Sequence, residues 1–156
     1  MQKKEIRAAL EALKEIKMPK IENKALRGDL IDNHFTLLDA GKKADAEVEK
    51  NRTVFLEAYK DEEQEVQEIQ NKINESTSRE EQIELSKELR TKHKGYLDAV
   101  KGFNENVNKI YDEEVKDLKK IDREKFMEAV KEMDNMKLSW VEALYPLFVL
   151  EEKKEK

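Results

Sequence analysis

The sequence predicts an all-α protein: a long antiparallel two-helix coiled-coil hairpin, with a small helical bundle at its base formed with the N-terminal helix and short C-terminal helices. Three observations carry that prediction. Charged residues make up 43% of the chain, while four Gly and two Pro leave few places to turn, which is the composition of long helices rather than sheets. Apolar residues recur at alternating spacings of three and four through two long stretches. A single cluster of turn residues, Asn74-Glu75-Ser76-Thr77-Ser78, separates those stretches.

A chain of 156 residues is long enough for one domain with a real core and short for two, so a single domain over 1–156 is expected. Residues 3–17 open it with a helix, since Ile6, Ala9, Leu10, Leu13 and Ile16 share one face with charges between them. Met18-Pro19 ends that helix, because the residue before a proline is pushed out of the α region. Pro19 can open the next helix, where its missing N–H is not needed.

From Leu30 to Ile73 a seam of Leu30, His34, Leu37, Gly41, Ala44, Val48, Arg52, Phe55, Tyr59, Glu62, Val66, Ile69 and Ile73 holds a heptad register. Gly41 on that seam is small enough to let a neighbouring helix come close. At the turn, Ser78 with Glu81 three positions on forms a capping box that starts a new helix. Ile83, Ser86, Leu89, His93, Tyr96, Val100, Phe103, Val107, Ile110, Glu114, Leu118 and Ile121 then carry the same spacing back.

Charge favours an intramolecular pairing. With the turn centred near Ser76, Glu62 faces Arg90 and Glu65 faces Lys87, so the acidic run 60–68 meets the basic run 86–94. Exposed pairs of this kind select orientation more than they stabilise, at about 0 to 1 kcal/mol each. The arms would be about 75 and 65 Å long at about 1.5 Å per residue. The first helix, about 22 Å by the same rise, covers only one end. The expected division is a base of about residues 1–45 and 105–150 with a projecting stalk of about 46–104. In that base, Asp122 is an N-cap for a short helix with Phe126, Ala129, Val130 and Met133 on its face.

The least polar run, "LSWVEALYPLFVL" (138–150), holds the single Trp. Ser139 and Glu142 read as a second capping box, and Pro146 kinks or ends the helix that follows. Thirteen residues are too few to span a bilayer, which takes about 20 apolar residues. Trp140, Leu144, Leu147 and Phe148 are therefore expected to close the core, with part of the run left over for a partner.

Several chemistries are disfavoured by residue type. The chain has no Cys, so thiolate catalysis, disulfides and thiolate metal sites are excluded. A carboxylate-bridged di-metal bundle needs Glu-x-x-His, and neither histidine supplies it: Ile31 stands three before His34, and Arg90 three before His93. Both histidines are expected to be partly exposed seam residues. The serines are taken by turn, caps and seam, and the glycines build no phosphate loop. Nucleic acid is not favoured: the net charge is -5, and facing acids neutralise Lys87, Arg90, Lys92 and Lys94.

The expected function is therefore a non-enzymatic protein–protein interaction module of adaptor, assembly or scaffolding type, with no cofactor and no metal. The partner would be another protein or a second copy in a homodimer. The alternatives are a regulatory subunit of an enzyme, or a nucleic-acid-associated accessory protein. Candidate contacts are Trp140, Tyr145, Leu147 and Phe148 in the closing run, and Leu56 and Leu97, which lie beside the hairpin seam. Without a signal-peptide pattern in "MQKKEIRAALEALKEIK" or a run of about 18 apolar residues, the expected location is cytoplasmic, with no membrane contact.

Overall fold

Among the described residues the regular elements are all helical, and two isolated β-bridges join Gln2 with Glu114 and Ile121 with Phe148. The computed structural model describes residues 1–149; Leu150 and the terminal EEKKEK lie outside the described residues. Six α-helices occur among the described residues: α1 (Ile6–Glu15), α2 (Lys24–Glu75), α3 (Arg79–Lys92), α4 (Lys94–Asp112), α5 (Arg123–Val130) and α6 (Leu138–Leu144). Short 3₁₀ turns cover Lys3–Glu5, Met18–Lys20 and Tyr145–Leu147. The residues fall into two compact units, one of Met1–Asp45 with the segment from Tyr111 onward, the other of Ala46–Ile110.

In the first unit α1 buries Ile6, Ala9, Ala12 and Leu13. Their core partners are Leu26, Leu30 and Leu37 of α2, Phe126 and Val130 of α5, and the closing residues Trp140, Leu144, Leu147 and Phe148. Burying four such large side chains stabilises by roughly 1.5–3 kcal/mol each, while Leu138, Tyr145 and Val149 of the same closing run stay exposed. Glu15 fastens it. Trp140 Nε1 donates to Glu15 Oε2 at 2.8 Å, Lys137 Nζ lies 2.9 Å from the same oxygen, and Asn135 Nδ2 donates to the Glu15 carbonyl at 2.9 Å. These anchors draw the start of α6 to Leu138 with Lys137 as an uncapped N-cap, so the expected Ser139–Glu142 box does not form.

The second helical arm is shorter than the spacing predicts. It ends at Asp112, and the seam expected to continue through Glu114, Leu118 and Ile121 is instead an irregular segment. The reason is pairing with distant backbone, which local pattern does not encode. Lys3 N donates to Glu113 O and Val115 N to Met1 O, both at 2.9 Å, while Ile121 N donates to Leu147 O and Val149 N to Ile121 O, also at 2.9 Å. Asn33 on α2, fully buried, holds the middle. Its Nδ2 donates to Lys119 O at 2.9 Å, and its Oδ1 accepts from Lys119 N at 2.7 Å. Asp117 turns the segment with φ 64, in the left-handed region that Asp tolerates better than most residues.

Local caps are placed where residue type puts them. Asp122 Oδ1 accepts from Lys125 N at 3.0 Å and starts α5. Ser78 Oγ accepts from Glu81 N at 3.4 Å and starts α3, but the Glu81 carboxylate accepts from Ser76 Oγ at 2.9 Å rather than closing the box. Gly41 lies against α1: a Cβ there would stand 3.4 Å from Ile6 Cγ2, an ordinary van der Waals contact, so the close approach expected at this seam position does not require glycine.

In the second unit contacts between α2 and the α3–α4 pair run in descending order, as antiparallel neighbours do. Phe55 meets Phe103 and Tyr96, Tyr59 meets Tyr96, His93 meets Glu62, and the Gln82 amide reaches the Ile73 carbonyl. The register is offset from the expected one. Among the described residues no ion pair joins Glu62 to Arg90 or Glu65 to Lys87; both acids instead flank His93, at 3.1 and 3.8 Å. The cause is the turn, whose non-helical residues 76–78 centre on Thr77 rather than Ser76. His93 is buried, not partly exposed as expected, and it interrupts the helix between α3 and α4. Facing it, α2 departs from helical geometry at Tyr59 (φ -126, ψ 17). Ring contacts among Phe55, Tyr59, Tyr96 and Phe103 at 5.1–6.0 Å fill that level.

Candidate docking groove

A concave feature lies along the line where α1 runs against the first half of α2 in the first unit. Two depressions of about 890 and 720 Å³ share Lys14 and His34, and together they follow α1 from Lys3 to Lys20 and α2 from Asp45 back to Ile31. The order is antiparallel, with Ile6 beside Gly41 at one end and Lys17 and Pro19 beside Ile31 at the other.

Its floor is apolar. Leu10 and Leu38 are half-buried, and Ile31 and Phe35 project further, Phe35 being 65% exposed. His34 stands edge-on to Phe35 with ring centroids 6.0 Å apart. The floor exists because α2 carries the doublets Leu30-Ile31, His34-Phe35 and Leu37-Leu38. Leu30 and Leu37 are fully buried in the core, while the second member of each doublet lies about 100° round the helix. One seam cannot hide both rows.

The rim is basic. Lys3, Lys4, Arg7, Lys14, Lys17, Lys20 and Lys42 line the two depressions against Glu11, Glu15 and Asp45. Some of these charges are already matched. Lys3 pairs with Glu113 at 2.6 Å, Lys4 with Asp112 at 2.9 Å, and Arg7 with Glu11 at 3.3 Å. The Asp112 carboxylate raises the Lys4 ammonium pKa, chiefly through their hydrogen bond. Asp45 accepts from the Tyr111 hydroxyl at 2.8 Å, and that hydrogen bond, with some burial, raises the tyrosine pKa. Glu15 is held by Trp140 and Lys137, which lower its pKa. Lys14, Lys17, Lys20 and Lys42 have no carboxylate partner among the described residues.

The contact residues expected from sequence are dispersed. Trp140, Leu147 and Phe148 are buried and belong to the core of the first unit. Tyr145 is 52% exposed and edge-on to Phe148 at 6.5 Å. Leu56 is exposed and Leu97 half-buried in the second unit. The groove residues Leu10, Ile31, Phe35, Leu38, Lys14 and Lys42 were not singled out by sequence. The signal was present in the apolar doublets, which make a stripe wider than one helix neighbour needs.

Among the described residues no group of three or more His, Asp and Glu is placed to hold a metal ion, and no helix is long and apolar enough to cross a membrane. No protein family, curated protein or solved structure matches this chain.

Proposed function

We propose that this chain is a non-enzymatic protein-interaction module of the adaptor or assembly type, and that its docking surface is the groove between α1 and α2. One observation carries the reading: an apolar floor with Phe35 and Ile31 exposed, framed by charged side chains, in a unit that already has a filled core. Exposed apolar ground of this kind, rimmed by polar groups, marks a partner site. In the C-terminal run Trp140, Leu147 and Phe148 are buried, which leaves Leu138, Tyr145 and Val149 as its exposed apolar side chains.

Photo-cross-linking tests it. With a benzophenone amino acid at Phe35 or Lys42, the full chain in an extract of the cells that express it should form a discrete adduct. The same group at Asn71, exposed in the second unit, should not. The cross-linked polypeptide, once purified, should bind the wild-type chain and lose binding to Phe35→Asp, a substitution at a position exposed enough to leave the fold intact. Adducts at Asn71 equal to those at Phe35, or unchanged binding by Phe35→Asp, would overturn the proposal.

A further inference from the structure

We infer that the occupant of the α1–α2 groove is an acidic amphipathic helix of a partner protein. This rests on the reading of the groove as a docking surface and adds the chemistry of what docks there.

Charge complementarity is the first argument. Of the carboxylates that line the groove, Asp45 keeps its charge, accepting among the described residues only from the neutral Tyr111 hydroxyl, whereas Glu11 and Glu15 are ion-paired, with Arg7 and with Lys137. Lys14, Lys17, Lys20 and Lys42 are not, among the described residues. With Asp45 counted against these four lysines, a local excess of three positive charges borders an apolar floor in a chain whose net charge is -5. A basic occupant would meet these ammonium groups as like charges, and a neutral one would leave them unmatched. Glu and Asp side chains on the two flanks of a helix would meet lysines on both walls, because Lys14, Lys17 and Lys20 stand on the α1 side and Lys42 on the α2 side.

Backbone chemistry selects a helix. An extended peptide laid on Leu10, Ile31, Phe35 and Leu38 would leave many of its N–H and C=O groups facing apolar side chains, and the described residues offer no β-strand edge to pair with them. A helix satisfies those groups internally and presents apolar residues at i, i+3, i+4 and i+7 to such a floor. The floor residues Ile31, Phe35 and Leu38 repeat at four and three, the spacing at which a partner's stripe interdigitates. The ten residues of α1 rise about 15 Å, so an occupant of about three turns fills the groove. Nucleic acid, the other polyanion, would find the lysines and one exposed ring, Phe35, to stack on, but would leave Leu10, Ile31 and Leu38 uncovered.

The test uses the full chain and defined peptides. A fluorescein-labelled helical peptide of about four turns carries Leu and Phe at i, i+3, i+4 and i+7 with Glu elsewhere. A second copy replaces Glu with Lys, and a third keeps the acidic composition but scrambles the stripe. Fluorescence anisotropy should show saturable binding of the first, with the other two weaker by about tenfold or more. The pair Lys14→Glu and Lys42→Glu, both at exposed positions, should weaken the first by a similar factor and flatten its salt dependence. Equal binding of the charge-reversed or scrambled peptide, no effect of the two substitutions, competition by a single-stranded oligonucleotide, or a doubled sedimentation mass that excludes the peptide would each overturn the inference. If instead Phe35 cross-links to a partner through a neutral or basic segment, the docking reading survives and only the acidic helix falls.

Discussion

Replacing Asn33 with Ala removes at once the partners of both backbone polar groups of Lys119, its N–H and its C=O. Asn33 is fully buried and gives Lys119 a donor at 2.9 Å and an acceptor at 2.7 Å, so the substitution orphans the Lys119 carbonyl and N–H together. A net hydrogen bond contributes about 1 kcal/mol, and an orphaned buried backbone group costs about 1–3 kcal/mol. The Lys119 side chain lies at the surface, so water can reach part of what is freed, and the expected loss sits near the lower end, about 2–3 kcal/mol. For a chain of this size that lowers the melting temperature by about 4–12 °C. Urea unfolding followed by Trp140 fluorescence measures the global loss, and amide exchange at Lys119 measures the local one. Lys119 should lose protection while the amides of α4 keep theirs. A variant within about 0.5 kcal/mol of wild type, or a Lys119 amide that stays protected, would refute the claim that Asn33 is what holds the 113–121 segment against α2.

Two further outcomes follow from particular contacts. The Trp140 indole, and after it the Lys137 ammonium, hold the Glu15 carboxyl below its ordinary value of 4.5. A depressed folded-state pKa contributes stability that is present above about pH 4.5 and lost as pH falls through the lower folded value. Glu15→Gln should therefore flatten that part of the acid limb in urea titrations read by Trp140 fluorescence; superimposable acid limbs would refute it. His93 presents the opposite case, since its Nε2 is buried without a hydrogen-bond partner while Nδ1 lies against Glu62, which water can also solvate. His93→Leu should fall within about 1 kcal/mol of wild type, whereas His93→Ala, which empties the volume, should cost about 2–4 kcal/mol. Equal losses in urea unfolding would show that the polar contact, not the packing, matters there.

The doublets of α2 illustrate how far the site was legible. Ile31, Phe35 and Leu38 could be read as a second apolar row, but whether that row is covered depends on where α1 and the C-terminal run go, and α1 covers only the first. The lysine excess was equally hidden. Seven basic residues line the groove; Arg7 is matched by Glu11 four residues on, but Lys3 and Lys4 are matched by carboxylates more than a hundred residues away, Glu113 and Asp112. The core members of the closing run were legible through its composition, whereas the partner that fastens Trp140, Glu15, stands 125 residues distant.

What the amino-acid order by itself determined is the all-α class and the helix starts at Ser78 and Asp122, because side-chain caps and apolar spacing act over a few residues. Only the tertiary structure decided that α4 stops at Asp112, that Glu113 to Ile121 leaves the helix, and that His93 is buried beside Glu62. The physical reason is range: residues 113–121 fit a helical seam well, but the backbone of residues 1–3 and 147–149 and the amide of Asn33 supply them with stronger partners than their own chain neighbours.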